Sequence, residues 1–120
     1  MANNFFRFKQ FTLQQDKAAM KVTTDGCLFG AWVAKQIAEQ TQTNVQLLDI
    51  GTGTGLLSLM IVQKNPACEI EAIEVDKNAY EQAIENVLSS PWKEKINIVH
   101  SDIKSFKKEK KYDIIISNPP

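Results

Sequence analysis

The chain is poor in the residues that make most small enzymes easy to classify: among 120 residues it has one histidine, two cysteines, five glycines and four prolines. Cys27 and Cys68 show no metal-like spacing and lie in apolar or mixed segments. That argues against a zinc site or a disulfide framework and leaves reduced structural thiols, as in a reducing cytosol. His100 is the sole histidine, and no serine or cysteine nucleophile with an orienting acid is evident beside it, so a hydrolytic triad has no support. No apolar run approaches the roughly 20 residues needed to span a bilayer, and Met1-Ala2-Asn3-Asn4 lacks a basic-then-apolar leader. We therefore expect a soluble, cytoplasmic protein with neither a membrane nor a metal partner. Excess charge is missing too. Fourteen basic and fourteen acidic residues cancel, so no global field attracts nucleic acid and any RNA contact must come from local patches.

Internal repeats, low-complexity tracts and Gly/Ser linkers are also lacking. The length allows one domain, with about two-thirds of the unfolded surface buried at best. A compositional seam falls near Thr41-Gln42-Thr43-Asn44 and divides an N-terminal extension and helix, residues 1–43, from an α/β core, residues 44–120. In the extension, Phe5, Phe6, Phe8 and Phe11 partly alternate with Arg7, Lys9 and Gln10. This predicts a short extended stretch whose aromatics pack on the domain and whose basic side is available to RNA. Thr24 or Asp25 is placed to cap a helix from about residue 27 to 40, with Leu28, Ala31, Trp32 and Ile37 toward one side.

What is present from residue 45 onward is regular. Val45-Gln46-Leu47-Leu48-Asp49-Ile50 reads as a strand that turns at Gly51-Thr52-Gly53-Thr54-Gly55 into a leucine-rich helix, with Asn65-Pro66 as its stop. A second strand is expected over 69–75. A capping box of Asn78 and Glu81 then opens an amphipathic helix carrying Tyr80, Ala83, Ile84, Val87 and Leu88, which ends at Ser89-Ser90-Pro91. Residues 96–100 and 112–117 supply two more strands, joined through a lysine-rich connection that includes Lys107, Lys108, Lys110 and Lys111. Strands alternating with helices imply a parallel sheet with right-handed crossovers, whose ligands bind outside the carboxyl ends of the strands. That rule collects Gly51 to Gly55, Glu74 to Asp76, Ser101-Asp102-Ile103 and Asn118-Pro119 on one rim and sends the lysine run to the other.

The rim residues have a common chemistry. Gly51, Gly53 and Gly55 permit a tight turn and a close ligand approach, but Leu56 stands where a dinucleotide fingerprint requires its third glycine. Glu74 can accept from both hydroxyls of a ribose; Asp76 meets the same requirement, although alternation leaves it free to help cap the next helix. At the rim, Glu74 is expected to be dispensable for folding. Asp102 can accept from an adenine amino group while the Ile103 N–H donates to the ring. Asp49, an acid inside an apolar strand, needs a partner, from donors in the glycine loop or from a ligand's amino group. Asn118-Pro119-Pro120 forms a stiff shelf, because each proline fixes its own φ and holds the preceding residue extended. Its amide oxygen and backbone carbonyl suit an exocyclic NH2 group. Drawing on both hydrogens turns that nitrogen toward pyramidal and frees its lone pair for methyl transfer.

Leu48-Asp49-Ile50-Gly51-Thr52-Gly53-Thr54-Gly55, Glu74 and the Asn-Pro-Pro element resemble the class I S-adenosylmethionine-dependent methyltransferases over residues 45–120. Phe8-Lys9-Gln10-Phe11, Met20-Lys21-Val22-Thr23-Thr24-Asp25-Gly26, Gly30-Ala31-Trp32 and Ser90-Pro91-Trp92 extend the likeness across the chain. They narrow it to the bacterial tRNA1(Val) adenine-37 N6-methyltransferases. The resemblance implies an α/β, Rossmann-like class I methyltransferase fold, ending after its fourth parallel strand and preceded by an N-terminal extension. Residues 44–120 would be the N-terminal half of the S-adenosylmethionine-binding domain. It implies S-adenosyl-L-methionine as cofactor, held by Asp49, Gly51, Thr52, Gly53, Gly55, Glu74, Asp102 and Ile103. The acceptor shelf would be Asn118, Pro119 and Pro120, and the substrate a tRNA. The family continues beyond this point with an aromatic residue and further strands, so the chain is expected to be an N-terminal fragment of doubtful activity. Its fourth strand would lie beside the first and be open to self-association. Rival readings are a protein glutamine-N5 or rRNA guanine-N2 methyltransferase and, in another class, a nucleotide-binding module or an NAD-dependent oxidoreductase domain.

Overall fold

The structure, a computed structural model, describes residues 5–8, 10–17, 23–106 and 111–118. Lys9, Met20, Lys21, Val22, the lysines at 107, 108 and 110, and Pro119 and Pro120 lie outside the described residues. The chain opens with a hairpin in which β1 (Phe5–Arg7) pairs antiparallel with β2 (Thr12–Gln14). Aromatic residues fix it to the domain: Phe8 stacks on Phe11 at 4.5 Å, and Phe11 meets Trp92 edge to face at 5.9 Å. Phe11 and Leu13 are buried in the main core, whereas Arg7 is exposed.

Helix α1 (Thr24–Ala38) is capped by Thr23, whose hydroxyl accepts from the Gly26 N–H at 3.0 Å. The cap thus precedes both expected candidates, since Thr24 and Asp25 are already the first two helical residues. The buried stripe is Gly26, Gly30, Val33, Ala34 and Ile37. Leu28 and Trp32, expected to face inward with Ile37, point to solvent at 63% and 59% exposure. Glycine at position 30 explains the choice: a Cβ there would meet Met60 Sδ at 2.7 Å, so the close approach of α2 uses the face with the smallest side chains.

Strand β3 (Gln46–Ile50) leads through the glycine loop into α2 (Leu56–Lys64). Asn65 ends α2 as expected, with φ −129°, outside the left-handed region in which many helices end. Its side chain ends the helix by donating to the Ile61 and Ala34 carbonyls at 3.2 and 3.0 Å, joining α2 to α1. Strand β4 (Glu69–Glu74) is followed by α3 (Lys77–Leu88), whose cap is Asp76 accepting from the Ala79 N–H at 2.8 Å. The expected box of Asn78 and Glu81 therefore lies inside the helix, and Leu88 is exposed. Strands β5 (Ile96–His100) and β6 (Ile114–Ser117) complete a parallel sheet of order β5-β4-β3-β6.

One face of this sheet carries Leu47, Ile70, Ala72, Ile96, Ile98 and Ile116, which share a core with the buried residues of α1, α2 and α3. Burying the leucine and isoleucine side chains among them contributes about 1.5–3 kcal/mol each. The opposite face bears the row Ile115, Leu48, Glu71 and Asn97. There Glu71 accepts from Asn97 at 3.1 Å and from the Tyr112 hydroxyl, tying β4 to β5 and to the approach to β6. Among the described residues no helix is long and apolar enough to cross a membrane.

Candidate functional site

Parallel register brings the rim together. Ile50 pairs with Ile73 on one side and with Ser117 on the other, so the next residues, Glu74 and Asn118, flank Gly51. His100 is opposite Glu74, and Asp102 follows two residues later. The sequence candidates at the ends of four separate strands are thus brought to one edge of the sheet.

The glycine loop is held by its backbone. Gly51, Gly53 and Gly55 have φ of 71°, 57° and 88°, the left-handed region that side-chain-bearing residues rarely adopt. The N–H groups of Gly51 and Thr52 both donate to the Ile73 carbonyl, at 2.9 and 3.0 Å, and the Gly55 N–H donates to Thr52. A Cβ built on Gly51 or Gly53 would meet nothing within 4 Å, whereas one on Gly55 would touch Ala83 at 3.8 Å. The first two glycines therefore border open space, and the third lets the loop approach α3.

Glu74 is buried and holds this loop as well as lining it. One carboxylate oxygen accepts from the Gly53 N–H at 2.7 Å and the other from the Asp76 N–H at 3.0 Å. Each oxygen keeps a second acceptor position. Asp76 uses its own carboxylate to cap α3, which separates the roles of the two acids. Asp49 is fully buried. Its Oδ2 accepts from the hydroxyls of Thr52 and Ser58, both at 2.8 Å, while its Oδ1 has no partner among the described residues. Burial pushes its carboxyl up to about 6; the two hydroxyls oppose the shift and the nearby Glu74 charge adds to it.

Asp102 is exposed, and its side chain accepts from the Lys104 N–H at 3.1 Å, which fixes the turn that presents the exposed Ile103. His100 is exposed at the rim, where it stacks on Tyr80 at 5.1 Å with Nε2 3.0 Å from the Val75 carbonyl. Asn118 is exposed, and its amide nitrogen lies 3.7 Å from where a Cβ on Gly26 would stand; Leu56 Cδ2 is 3.5 Å from the same point. The acceptor-shelf candidate thus adjoins the starts of both α1 and α2. Among the described residues no group of three or more His, Cys, Asp or Glu is placed to hold a metal ion.

The residues fit the cofactor that the sequence resemblance implies. An unpartnered buried carboxylate oxygen on Asp49 calls for a hydrogen-bond donor, and two glycines leave the space above the loop clear. Sequence reasoning missed two participants. Ser58, one turn into α2, completes the Asp49 pair, and Asn86 on α3 donates to the Thr54 carbonyl at 2.8 Å. The signal for Asn86 was its spacing with Gln82, four residues apart in the stripe shared by Ala79, Ala83 and Val87. Two amides within a buried stripe must have specific partners.

A tRNA1(Val) (adenine(37)-N6)-methyltransferase from Bacteroides thetaiotaomicron is 51% identical over the whole of this chain, covering 48% of its own length. The chain thus spans about half the length of the curated relatives it matches. Among solved structures, a human methyltransferase 10 domain containing protein superposes with a TM-score of 0.70 at 24% identity, over 87% of this chain and 51% of that one. The plantazolicin methyltransferase, solved in complex with SAH, gives 0.61 at 26% identity over 78% and 36%. The parallel sheet with its glycine loop is the Rossmann-like arrangement of these methyltransferases. The model of the methyltransferase small domain family matches residues 30–120, from the middle of α1 through Pro120, and the chain belongs to that family.

Proposed function

We propose that these residues form the cofactor half and part of the acceptor shelf of a tRNA1(Val) (adenine(37)-N6)-methyltransferase. The observation that carries the reading is the placement of Glu74 and Asn118 on either side of Gly51. S-adenosyl-L-methionine, when bound, supplies an electrophilic methyl group. Gly51 and Gly53 leave room for its backbone-side approach, and Thr52 and Gly55 hold the loop in shape. The free acceptor positions of Glu74 take ribose hydroxyls, Asp49 Oδ1 takes a donor, and Asp102 with the Ile103 N–H reads an adenine edge. Asn118, with the carbonyl of Pro119 and the rigidity of Pro120, holds the exocyclic amino group of the acceptor base and draws on both its hydrogens.

The substrate in this reading is a tRNA, in the cytoplasm, with residues 1–43 as an extension of the cofactor domain that begins at residue 44. The reading is supported by the name of a relative half identical to this chain and by the SAH bound to the plantazolicin enzyme. It also includes self-association of the 120-residue chain through β6, which occupies an end of the sheet order. Two titrations test the cofactor assignment: S-adenosylhomocysteine should bind and NADH should not. Methylation assays with the full gene product then test the acceptor, using unmodified tRNA, a release-factor glutamine peptide and rRNA. Selective NADH binding would overturn the cofactor assignment, and transfer to the peptide or to guanine would overturn the acceptor.

A further inference from the structure

Asn86 lies on α3 at 1% exposure, and its side-chain amide bonds three backbone atoms from two distant segments. Its Oδ1 accepts from the Gln14 N–H at 2.6 Å, and its Nδ2 donates to the Gln14 carbonyl at 2.8 Å. These two bonds treat the end of β2 as a neighbouring strand would. The remaining hydrogen of Nδ2 goes to the Thr54 carbonyl in the glycine loop, also at 2.8 Å. One turn earlier the fully buried Gln82 accepts from the Lys17 N–H at 2.7 Å, and the Lys17 ammonium lies 3.3 Å from Glu85. Helix α3 therefore fixes the chain at the end of β2 and again at Lys17, and at the first of these points the same amide fixes the loop.

This geometry is specific to asparagine. The site requires one acceptor and two donors on a single planar group of this reach, and aspartate supplies no donor at neutral pH. Thr54 sits between Gly53, which is held by Glu74, and Gly55, which packs toward Ala83. Movement of the Thr54 carbonyl would therefore alter both glycines, and release of Gln14 would leave buried polar groups on Asn86 unpaired. We propose that Asn86 is a positioning residue of the glycine loop and that it couples the loop to the β1–β2 hairpin, so that a ligand seated on the loop stabilises the hairpin. The ligand part of this inference rests on the loop holding the adenosyl cofactor. By linkage, whatever stabilises the hairpin then tightens the cofactor by the same factor.

Amide hydrogen exchange on the 120-residue chain tests the coupling, with β4 amides as the reference for global opening. Saturating S-adenosylhomocysteine is expected to slow exchange at both Gly55 and Gln14. In Asn86→Asp it should slow Gly55 alone, with affinity reduced about fivefold, the factor carried by one ordinary hydrogen bond. A Gln14 amide that ignores the ligand while Gly55 responds would overturn the proposal. A ligand-free arm uses Gln14→Pro, which deletes the N–H that Asn86 accepts. It should speed exchange at Gly55 relative to β4, and an unchanged ratio would equally overturn the coupling. If S-adenosylhomocysteine protects neither amide, the cofactor reading fails, and the Gln14→Pro ratio still decides whether Asn86 links hairpin and loop.

Discussion

The Glu74 carboxylate and the Gly53 N–H meet at 2.7 Å across 21 residues of sequence, and the other oxygen of the same carboxylate holds the Asp76 N–H. A residue placed at a rim by the strand pattern thus ties the loop, the end of β4 and the start of α3 together. These bonds argue against the dispensability for folding expected from position alone.

The first prediction follows directly. Glu74→Ala should destabilise the chain by about 2 kcal/mol, because hydrogen bonds to a charged group are each worth roughly 1.5–3 kcal/mol and water will replace part of what is lost. Cofactor affinity should fall as well. Glu74→Gln keeps one acceptor and should recover part of the stability. Urea unfolding read beside S-adenosylhomocysteine titration separates the two effects. Unchanged stability in Glu74→Ala would remove the structural role, and unchanged affinity would return the ribose assignment to Asp76.

The three glycines should part company under alanine substitution. Each has a left-handed φ, so each replacement is expected to lose about 1–2 kcal/mol of stability through backbone strain. Only Gly51→Ala and Gly53→Ala place a methyl group into open space above the loop; at Gly55 it contacts Ala83. Affinity for S-adenosylhomocysteine should therefore fall further in the first two than in Gly55→Ala at matched stability. Equal affinity losses in all three would assign the effect to loop conformation alone.

Several of these relationships were legible in the sequence because they depend on strand ends. The Gly51 to Gly55 turn, Glu74, Asp102 and Asn118 each follow an apolar run, and parallel pairing then aligns them without further information. The α1 cap fell at Thr23 rather than Thr24 or Asp25, and the Asn78–Glu81 box gave way to Asp76, the acid already read as free to help cap that helix, since adjacent polar residues offer equivalent local chemistry and tertiary packing selects among them. The burial of α1 was misread because Leu28 and Trp32 outweigh Gly26 and Gly30 in hydrophobicity, while close contact with Met60 and Leu57 favours the smaller residues. Asn86 was not legible as a loop partner. Its partners at Gln14 and Thr54 are 72 and 32 residues away, and no local period reports such a distance.

Asp49 gives a pH-dependent prediction. Its folded-state carboxyl is raised from 3.8 to about 6, so its contribution favours the native state below 3.8 and is lost as pH rises through about 6. Between pH 4 and 7, unfolding free energies of the ligand-free parental and Asp49→Asn chains should diverge in favour of the variant. The expected change in their difference is on the order of 2 kcal/mol. Comparing the two chains at each pH cancels the other titrating groups. A constant difference across the range would mean that Asp49 titrates normally.

Asn118 is expected to act on turnover rather than on cofactor binding. It is exposed and follows β6, whereas the loop bonds run through Ile73, Glu74 and Asn86. In the full gene product, Asn118→Ala should lower methyl transfer to unmodified tRNA by about 10²–10³, the range seen when a single transition-state hydrogen bond is removed. S-adenosylhomocysteine affinity should stay within about twofold, well below the loss of one hydrogen bond. Retained turnover would take Asn118 out of the acceptor site.

The last prediction concerns the edge of the sheet in the 120-residue chain. Strand β6 ends the sheet order and pairs only with β3 among the described strands, so its other side presents backbone N–H and C=O groups. Ile115 is 60% exposed on the face opposite the three helices, while Ile116 is buried on the helix-bearing face. An apolar side chain beside an open edge favours pairing with another copy. Tyr112 and Asp113 lie just before the strand, and Asp113 fixes its entry beside β3 by accepting from the Gln46 N–H at 2.8 Å. Mass measured across a dilution series should therefore show reversible dimers or larger species, and Ile115→Lys should shift the population toward monomer by placing like charges at the interface. Amides of residues 114–117 should gain protection with concentration in the parental chain alone. A monomer at every concentration, with those amides already protected, would show that the edge is covered within a single chain and would reject self-association.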